Sequence, residues 1–192
     1  MNKMLALSAA FAFAGMSFTV SAASNEELLG GFVRVEGGRT DADIKISGFG
    51  SGSDHDNAYS VRGGYWYNGH FALEAFYTNA FDKRYTDGVD TIGLKATALG
   101  GGIVGKKNFG DVAHQGAYIM GRLGVMHGKL EGSVSGLGSD SASSTEAYFG
   151  IGAGYDFTQN FGISLNYDYL KGSNDGVKVT AKPLMLGAEF RF

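Results

Sequence analysis

The sequence contains no cysteine and a single proline among its 192 residues. Without cysteine the chain cannot form a disulfide framework, so another source of stability must hold its fold together. The lone proline, Pro183, falls in the last predicted strand. Because proline cannot donate to a sheet ladder, we expect it at a bulge or at an unpaired edge position.

The chain also lacks a strong charge of one sign and, beyond its amino terminus, any long apolar run. Its formal net charge is -3, which excludes the basic footprint of a nucleic-acid-binding protein. No later segment approaches the roughly 20 apolar residues of a membrane-spanning helix. Any passage through a membrane must therefore use strands.

The amino terminus has the pattern of a secretory signal peptide. Lys3 precedes an apolar run over residues 4–20, and the small residues Ser21 and Ala22 follow. We place the cleavage after Ala22, with Ala23 as the second choice. The expected organisation is a cleaved signal peptide over residues 1–22 and one domain over residues 23–192.

Glycine and alternating apolar residues are what the sequence has in abundance. The 32 glycines far exceed the usual share of about 7%, and aromatic residues make up 13%. A mean hydropathy of -0.06 fits strands that hide only every second residue in lipid. Period-two alternation predicts eight antiparallel strands. They cover residues 30–46, 58–68, 71–81, 91–105, 116–130, 147–157, 161–170 and 177–192.

The connections are predicted to be of two kinds. Asn68-Gly69-His70 and residues 158–160 read as tight hairpin turns. Residues 106–115 are predicted to be a turn of moderate length. Polar loops are predicted at residues 47–57, 82–90, 131–145 and 171–176. Three consecutive glycines obscure the register of the fourth strand, so the face that Leu99 takes stays open.

The last strand carries the clearest two-faced pattern. Leu184, Leu186, Ala188, Phe190 and Phe192 share one face, and the chain ends on that aromatic residue. Aromatic residues also gather at both ends of other strands, as they do at the two interfaces of a membrane. The alternative is a periplasmic lipocalin-like barrel, which would place its large apolar groups inside a ligand cavity.

With its signal peptide, eight alternating strands and terminal Phe192, the chain resembles the small outer-membrane barrels of the OmpX/Ail and OmpA-transmembrane-domain type. The resemblance covers the whole mature chain and implies an all-β fold, an eight-stranded antiparallel up-and-down transmembrane β-barrel. It also implies a surface protein concerned with adhesion, envelope integrity or resistance to external agents. Leu186, Ala188, Phe190 and Phe192 resemble the carboxy-terminal signal that the barrel assembly machinery reads.

If the apolar face meets lipid, nine charged residues share the lumen. An eight-stranded barrel is only just wide enough for its own side chains, and an unpaired charge there costs several kcal/mol. We therefore expect a paired polar network, with Arg62 bound to Glu74 across the tight hairpin. The nine residues are Arg34, Glu36, Arg62, Glu74, Arg122, Asp156, Asp168, Glu189 and Arg191.

The chemical motifs are weak. Residues 100–106 match the spacing of a phosphate-binding loop, but Lys107 stands where Ser or Thr should be and no helix follows. Asp54-His55-Asp56 offers cation ligands only if a shaped turn lets them converge. His127 with Ser133 and Asp140 has the residue types of an acyl hydrolase, without same-face spacing of nucleophile and base. We expect no cofactor, no metal and no catalytic residue.

Three function classes follow from these observations. A non-enzymatic structural, adhesive or envelope-protective barrel is the leading expectation; a narrow passive pore and a lipid A-modifying enzyme are the alternatives. The expected partners are outer-membrane lipid, lipopolysaccharide and the barrel assembly machinery, with host or surface ligands at the loops. We expect a monomer in the bacterial outer membrane that does not bind nucleic acid.

Overall fold

The computed structural model describes residues 30–46, 50–87, 90–110, 114–134, 138–174 and 177–192. The predicted signal peptide, residues 1–22, lies outside these ranges. Within the described part of the chain, no helix is long and apolar enough to cross a membrane.

Eight antiparallel strands close into one barrel in chain order, and β1 pairs with β8. The predicted fold class is confirmed, and every strand meets its sequence neighbours. Closure leaves no free sheet edge along the paired length. The strands are β1 Gly30–Ile46, β2 Gly50–Trp66, β3 Phe71–Asp87, β4 Asp90–Asn108, β5 Gly116–Val134, β6 Gly138–Asp156, β7 Phe161–Asn174 and β8 Val177–Arg191.

The alternation of the sequence sorts side chains between the outside and the lumen. On β5, Ile119, Leu123 and Val125 are exposed on the outer face, whereas Met120 and Arg122 are buried. Leu99, whose face the sequence left open, is 62% exposed and also lies outside. The lipocalin-like alternative is wrong, because most large apolar side chains lie on the outer face and charged residues occupy the middle of the lumen.

The exposed apolar residues form a band around only one half of the barrel. On β5 the band covers residues 117–125, which matches the roughly 9–11 residues of a tilted transmembrane strand. We call the end with both termini and the tight turns the terminal end. The strands continue beyond the band as a polar projecting part, where β5 runs on to Val134.

The prediction of long polar loops is wrong, because most of these residues belong to strands. Most of residues 47–57 belongs to β2, and residues 82–90, 131–145 and 171–176 are largely strand. The sequence shows no apolar alternation there because both lipid contact and a large core are missing, yet the backbone ladders of β1 with β2 and of β4 with β5 continue. A ladder needs backbone groups and not a particular side-chain pattern.

In the projecting part, two pairs of adjacent strands, β2 with β3 and β6 with β7, are no longer joined by a backbone ladder. The β2–β3 ladder stops at Tyr59 opposite Asn79, and the β6–β7 ladder stops at Tyr148 opposite Leu170. The remaining ladders hold β7-β8-β1-β2 together as one four-stranded sheet and β3-β4-β5-β6 as another. We call the two separations the β2–β3 seam and the β6–β7 seam.

Pro183 lies where the pairing of β8 is incomplete. It stands opposite Thr40 of β1, but the β7–β8 ladder passes directly from the Tyr167–Leu184 pair to the Leu170–Ala181 pair. A residue without an N–H fits this interruption.

Candidate functional site

The lumen contains all nine charged residues predicted to face inward. Each of these residues is buried, between 0% and 5% exposed. They come from seven of the eight strands, so that the charged groups meet in the middle of the barrel. The site is therefore built by closure of the sheet and not by any local sequence motif.

Arg62 is the centre of this lumenal network. Its Nε donates to Glu36 Oε2 and its Nη1 to Glu74 Oε1, both at 2.9 Å, and its Nη2 donates to Asp168. The pair with Glu74 is the one expected across the hairpin. The guanidinium carbon also lies 4.6 Å from the centroid of the Phe76 ring. One fork therefore joins three carboxylates from three strands, which fixes its position closely.

Arg122 and two uncharged residues complete the bonding of these carboxylates. Arg122 donates to Glu36 Oε1 at 3.0 Å and lies 3.2 Å from Asp168 Oδ1. Asn166 donates to Glu36 Oε1 at 2.9 Å, and the Tyr148 hydroxyl donates to Glu74 Oε1 at 2.8 Å. The sequence reading missed both uncharged residues, although each lies on the inward face of a strand whose alternation was clear.

A second group of charges lies nearer the terminal end. Arg34 donates to Glu189, and Arg191 Nε donates to Glu189 Oε1 at 2.5 Å. Arg191 and Lys106 both pair with Asp156, which also accepts a bond from Asn108 at 2.9 Å. The 3.9 Å approach of Arg34 to Glu36 Oε1 connects the two groups.

Lys106 is the charged lumen residue that the sequence reading missed. It was placed in a turn, but β4 extends to Asn108, and Lys106 is buried two residues beyond the inward-facing Val104. With it, the network holds the five cations Arg34, Arg62, Lys106, Arg122 and Arg191 against the five carboxylates Glu36, Glu74, Asp156, Asp168 and Glu189. The formal charge of the network is zero.

Apolar clusters pack against both groups of charges. Toward the terminal end lies a cluster with Phe32, Trp66 and Tyr118, and toward the projecting part lies one with Phe76 and Tyr148. The Phe76 and Tyr148 rings meet edge to face at 4.7 Å between centroids. Glycine makes room for them, since a Cβ on Gly100 would lie 2.7 Å from Phe76 Cζ.

The weak motifs of the sequence do not form a site. His127 Nδ1 lies 3.1 Å from Thr145 Oγ1. Ser133, six residues along the same strand, is roughly 20 Å away at about 3.3 Å per residue. The side chain of Asp140 lies outside the described residues. Residues 100–106 form continuous strand, so they cannot act as a phosphate-binding loop.

Asp54, His55 and Asp56 turn to different partners. His55 Nδ1 lies 2.8 Å from Asp41 Oδ1, and Asp54 binds Lys83 Nζ at 2.5 Å. Asp56 accepts the backbone N–H of Asp82 at 2.8 Å. The last two contacts bridge the β2–β3 seam with side chains in place of a backbone ladder. Among the described residues, no group of three or more His, Asp or Glu side chains could hold a metal ion.

A polar groove of about 440 Å³ crosses the outer face of the projecting sheet β3-β4-β5-β6. Cross-strand pairing places Asp82 beside Lys95 and Arg84 beside Gly93. The Ser133 hydroxyl covers Gly93, because an added Cβ there would lie 2.6 Å from Ser133 Oγ. Lys129 binds Glu131 at 2.6 Å, and this hydrogen bond and charge lower the pKa of the Glu131 carboxyl. Hydroxyl groups of Ser133, Ser139 and Ser141 also line the groove. Such a surface offers both charges and neutral hydrogen-bond groups to a ligand.

The four residues of the proposed assembly signal lie on β8 at the closing seam of the barrel. Leu186 and Phe190 are 68% and 55% exposed on the apolar band. The Phe192 N–H donates to the Gly31 carbonyl at 2.9 Å, and its ring lies 6.3 Å from that of Phe190 between centroids. The last residue thus extends the contact between the two ends of the chain.

A closed eight-stranded barrel with an apolar outer band and a charged, filled lumen defines a transmembrane β-barrel protein. The chain matches the outer membrane protein beta-barrel domain family over residues 9–192, and it belongs to that family. This family implies the bacterial outer membrane. A comparison with curated protein sequences finds no significant match.

Solved structures with this fold include three bacterial barrels. Ail of Yersinia pestis, crystallised with the heparin analogue sucrose octasulfate, is 25% identical; the alignment covers 85% of this chain and 99% of Ail, with a TM-score of 0.58. Neisserial surface protein A is 16% identical over 84% of this chain and 97% of its own, with a TM-score of 0.64. The barrel domain of Pseudomonas aeruginosa OprF is 19% identical over 85% and 99%, with a TM-score of 0.51.

Proposed function

We propose that the protein is a non-enzymatic, non-conducting surface barrel whose projecting sheet binds anionic polysaccharides. The polar groove on β3-β4-β5-β6 carries this proposal. Arg84, Lys95 and Lys129 supply cations, and serine hydroxyls, including that of Ser133 over Gly93, offer hydrogen bonds that suit sugars. The likeness to Ail, which was crystallised with a sulfated sugar, supports the same ligand class.

The filled lumen supports a binding role over a passive pore. Ten charged groups neutralise one another there, and the Phe76–Tyr148 contact lies between them and the projecting part. An ion would have to break several buried pairs in order to pass, and each costs several kcal/mol to break. Single-channel recording on the purified protein should therefore show no steady ohmic conductance.

In this proposal the protein acts as a monomer, and membrane lipid and lipopolysaccharide surround its apolar band. The barrel assembly machinery is the expected partner of β8. The separation of His127 from Ser133 along β5 argues against the lipid-modifying alternative, because a nucleophile and its base must lie within hydrogen-bond reach.

The test is binding of cells that display the protein to immobilised heparin. Replacing Arg84→Glu together with Lys95→Glu should weaken binding about tenfold, because two cations of the groove become anions. Raising the salt concentration should weaken the wild-type binding in the same direction.

The matched control changes the same charges on the other projecting sheet. Lys171→Glu with Lys178→Glu alters the net charge equally but lies on β7 and β8, away from the groove. Equal loss of binding in both double variants would show that net charge explains the effect, and would overturn the assignment to the groove.

A further inference from the structure

The inner side of the projecting part contains a partly open, apolar cavity of about 70 Å³. Ala98, Met126 and Ala142 line it from the sheet β3-β4-β5-β6, and Leu170 and Val179 line it from the opposite sheet. One water needs about 10–15 Å³ and two to four polar partners, so this space has room for on the order of five water-sized groups. Its lining gives water few partners, and apolar cavities of this kind take up small apolar molecules.

The cavity lies beside the β6–β7 seam. The last backbone pair is Tyr148 with Leu170, and above it Ser144, Gly172 and Ser173, which stand on the two sides of the seam, also line the cavity. The Ser173 N–H donates to Ser144 Oγ at 3.2 Å, a side-chain contact in place of a ladder. A neutral hydrogen bond contributes only about 0.5–1.5 kcal/mol, so its opening at the seam would offer a lateral route into the cavity.

The base of the seam lies at the edge of the apolar band. The exposed Phe149 ring stacks on Tyr169 at 5.0 Å between centroids, one pair below the end of the ladder. Lys171 is the first β7 residue beyond the last pair, and it is exposed on the outer face. A cation therefore stands between the membrane boundary and the seam.

We propose that this cavity binds the hydrocarbon end of a fatty acyl chain, which enters through the β6–β7 seam with its carboxylate near Lys171. The volume accommodates the last several carbons of a chain, and the aromatic pair marks the level at which acyl groups leave the bilayer. This site is on the opposite side of the sheet from the polysaccharide groove. It makes the barrel a receptor for fatty acids or for the acyl chains of neighbouring lipid.

Methionine offers a probe of this site, because the described chain contains three, all buried in the lumen: Met120, Met126 and Met185. Met126 lines the cavity, whereas Met120 belongs to the cluster at the terminal end and Met185 pairs with Gly38 and Asn166 at the level of the ionic network. The protein should be labelled with ¹³C at the methionine methyl groups and placed in lipid nanodiscs. Decanoate should shift the Met126 resonance and leave the other two unchanged.

A second arm separates free fatty acid from membrane lipid. Phospholipid with a spin label near the end of its acyl chain should broaden Met126 before the other two if lipid is the occupant. A shift with decanoate without this broadening identifies the free acid. Absence of both effects at Met126, or equal effects at all three methionines, would overturn the proposal.

Three substitutions test the geometry. Ala142→Phe should fill the cavity and abolish the Met126 response, whereas Ala147→Phe makes the same change on the outer face of the same strand, away from the cavity, and should preserve it. Lys171→Glu should weaken decanoate binding about fivefold and leave decanol binding unchanged. The unheated gel mobility reports folding of each variant. If Ala142→Phe does not fold, Lys171→Glu alone decides, and equal weakening for decanoate and decanol would contradict the proposed orientation.

Discussion

At the scale of single residues, Arg62 shows how the lumen differs from an exposed ion pair. Its side chain is 0% exposed and reaches Glu36, Glu74 and Asp168 together. Removing a buried partner leaves carboxylates uncompensated, which costs about 3–5 kcal/mol, whereas exposed pairs contribute about 0–1 kcal/mol. Arg62 has more charged partners than Glu74, so replacing Arg62 should destabilise the barrel more than replacing Glu74.

Arg62→Met should therefore lower the free energy of unfolding by about 3–5 kcal/mol. Glu74→Gln should cost about 1–2 kcal/mol, because Arg62 keeps two carboxylates and the Tyr148 hydroxyl keeps an amide oxygen as acceptor. The measurement is urea unfolding in lipid vesicles, including the double variant. The double variant should cost less than the sum. Additive effects would show that the two side chains do not interact.

Gly150 tests the fit of the lumen at one atom. A Cβ on this residue would lie 2.0 Å from Asp168 Oδ1, in the middle of the network. Gly150→Ala should destabilise the barrel by about 1–3 kcal/mol, since a well-packed interior resists added volume. Gly121→Ala is the matched control on the adjoining strand, where nothing lies within 4 Å of the added atom. Equal stability of the two variants would contradict the packing described.

The sequence predicted which residues face the lumen far better than it predicted how they pair. Period-two alternation places Arg62 and Glu74 inside without any knowledge of the fold. The contact of Arg62 with Asp168 depends on two strands that meet only when the barrel closes, and no local pattern contains that distance. Lys106 was missed because a strand end next to glycine and lysine resembles a turn.

At the scale of elements, the projecting part consists of strand segments that continue beyond the apolar alternation of the sequence. Residues 131–134 and 138–145 carry serine and glycine, which favour loops in isolation, yet they pair continuously from Glu131–Ser141 to Val134–Gly138. Local propensity is overruled there because the ladder begun inside the membrane extends outward. The boundaries of strands were therefore the part of the fold that the sequence predicted least well.

The terminal end of β8 should determine assembly. Deleting Phe192 removes the hydrogen bond to Gly31 and an aromatic residue of the closing strand, and we expect assembled protein to fall much more than synthesis. Immunoblots of membrane and total fractions measure both quantities. Phe192→Tyr is the control, because it keeps the ring and the backbone bond. A normal membrane yield after the deletion would remove the assembly role from this residue.

The β4–β5 turn should make the terminal end sensitive to acid. Burial, with the nearby cations Lys106 and His70, lowers the pKa of His114 below its ordinary value of about 6.5. His114 then binds a proton more readily in the unfolded chain than in the folded barrel. The contribution of neutral His114 to the free energy of unfolding is therefore complete above about pH 6.5 and is lost as the pH falls below that value. His114 has a φ of 60°. His114→Asn tolerates that conformation and should remove this part of the pH slope in urea unfolding. An unchanged slope in the variant would exclude His114 as its source.

At the scale of the whole molecule, closure joins the outer band and the lumen into one cooperative unit. Ladders between all neighbouring strands leave no edge from which detergent can separate the membrane part. Unheated samples on detergent gels should therefore migrate faster than boiled ones, because the barrel stays compact until heating unfolds it. Identical migration of both samples would contradict a closed barrel.

The pairing of β1 with β8 also imposes an order in time. Phe32 of β1 lies opposite Arg191 of β8, so β1 finds its final neighbour only after the last strand has been synthesised. Until then two edges and the lumenal charges are open to other chains, and non-local pairing of this kind forms slowly. We therefore expect a nascent barrel of this sequence to need protection by chaperones until β1 and β8 have paired. The two free strand edges can pair with other chains until β8 pairs with β1 and closes the barrel.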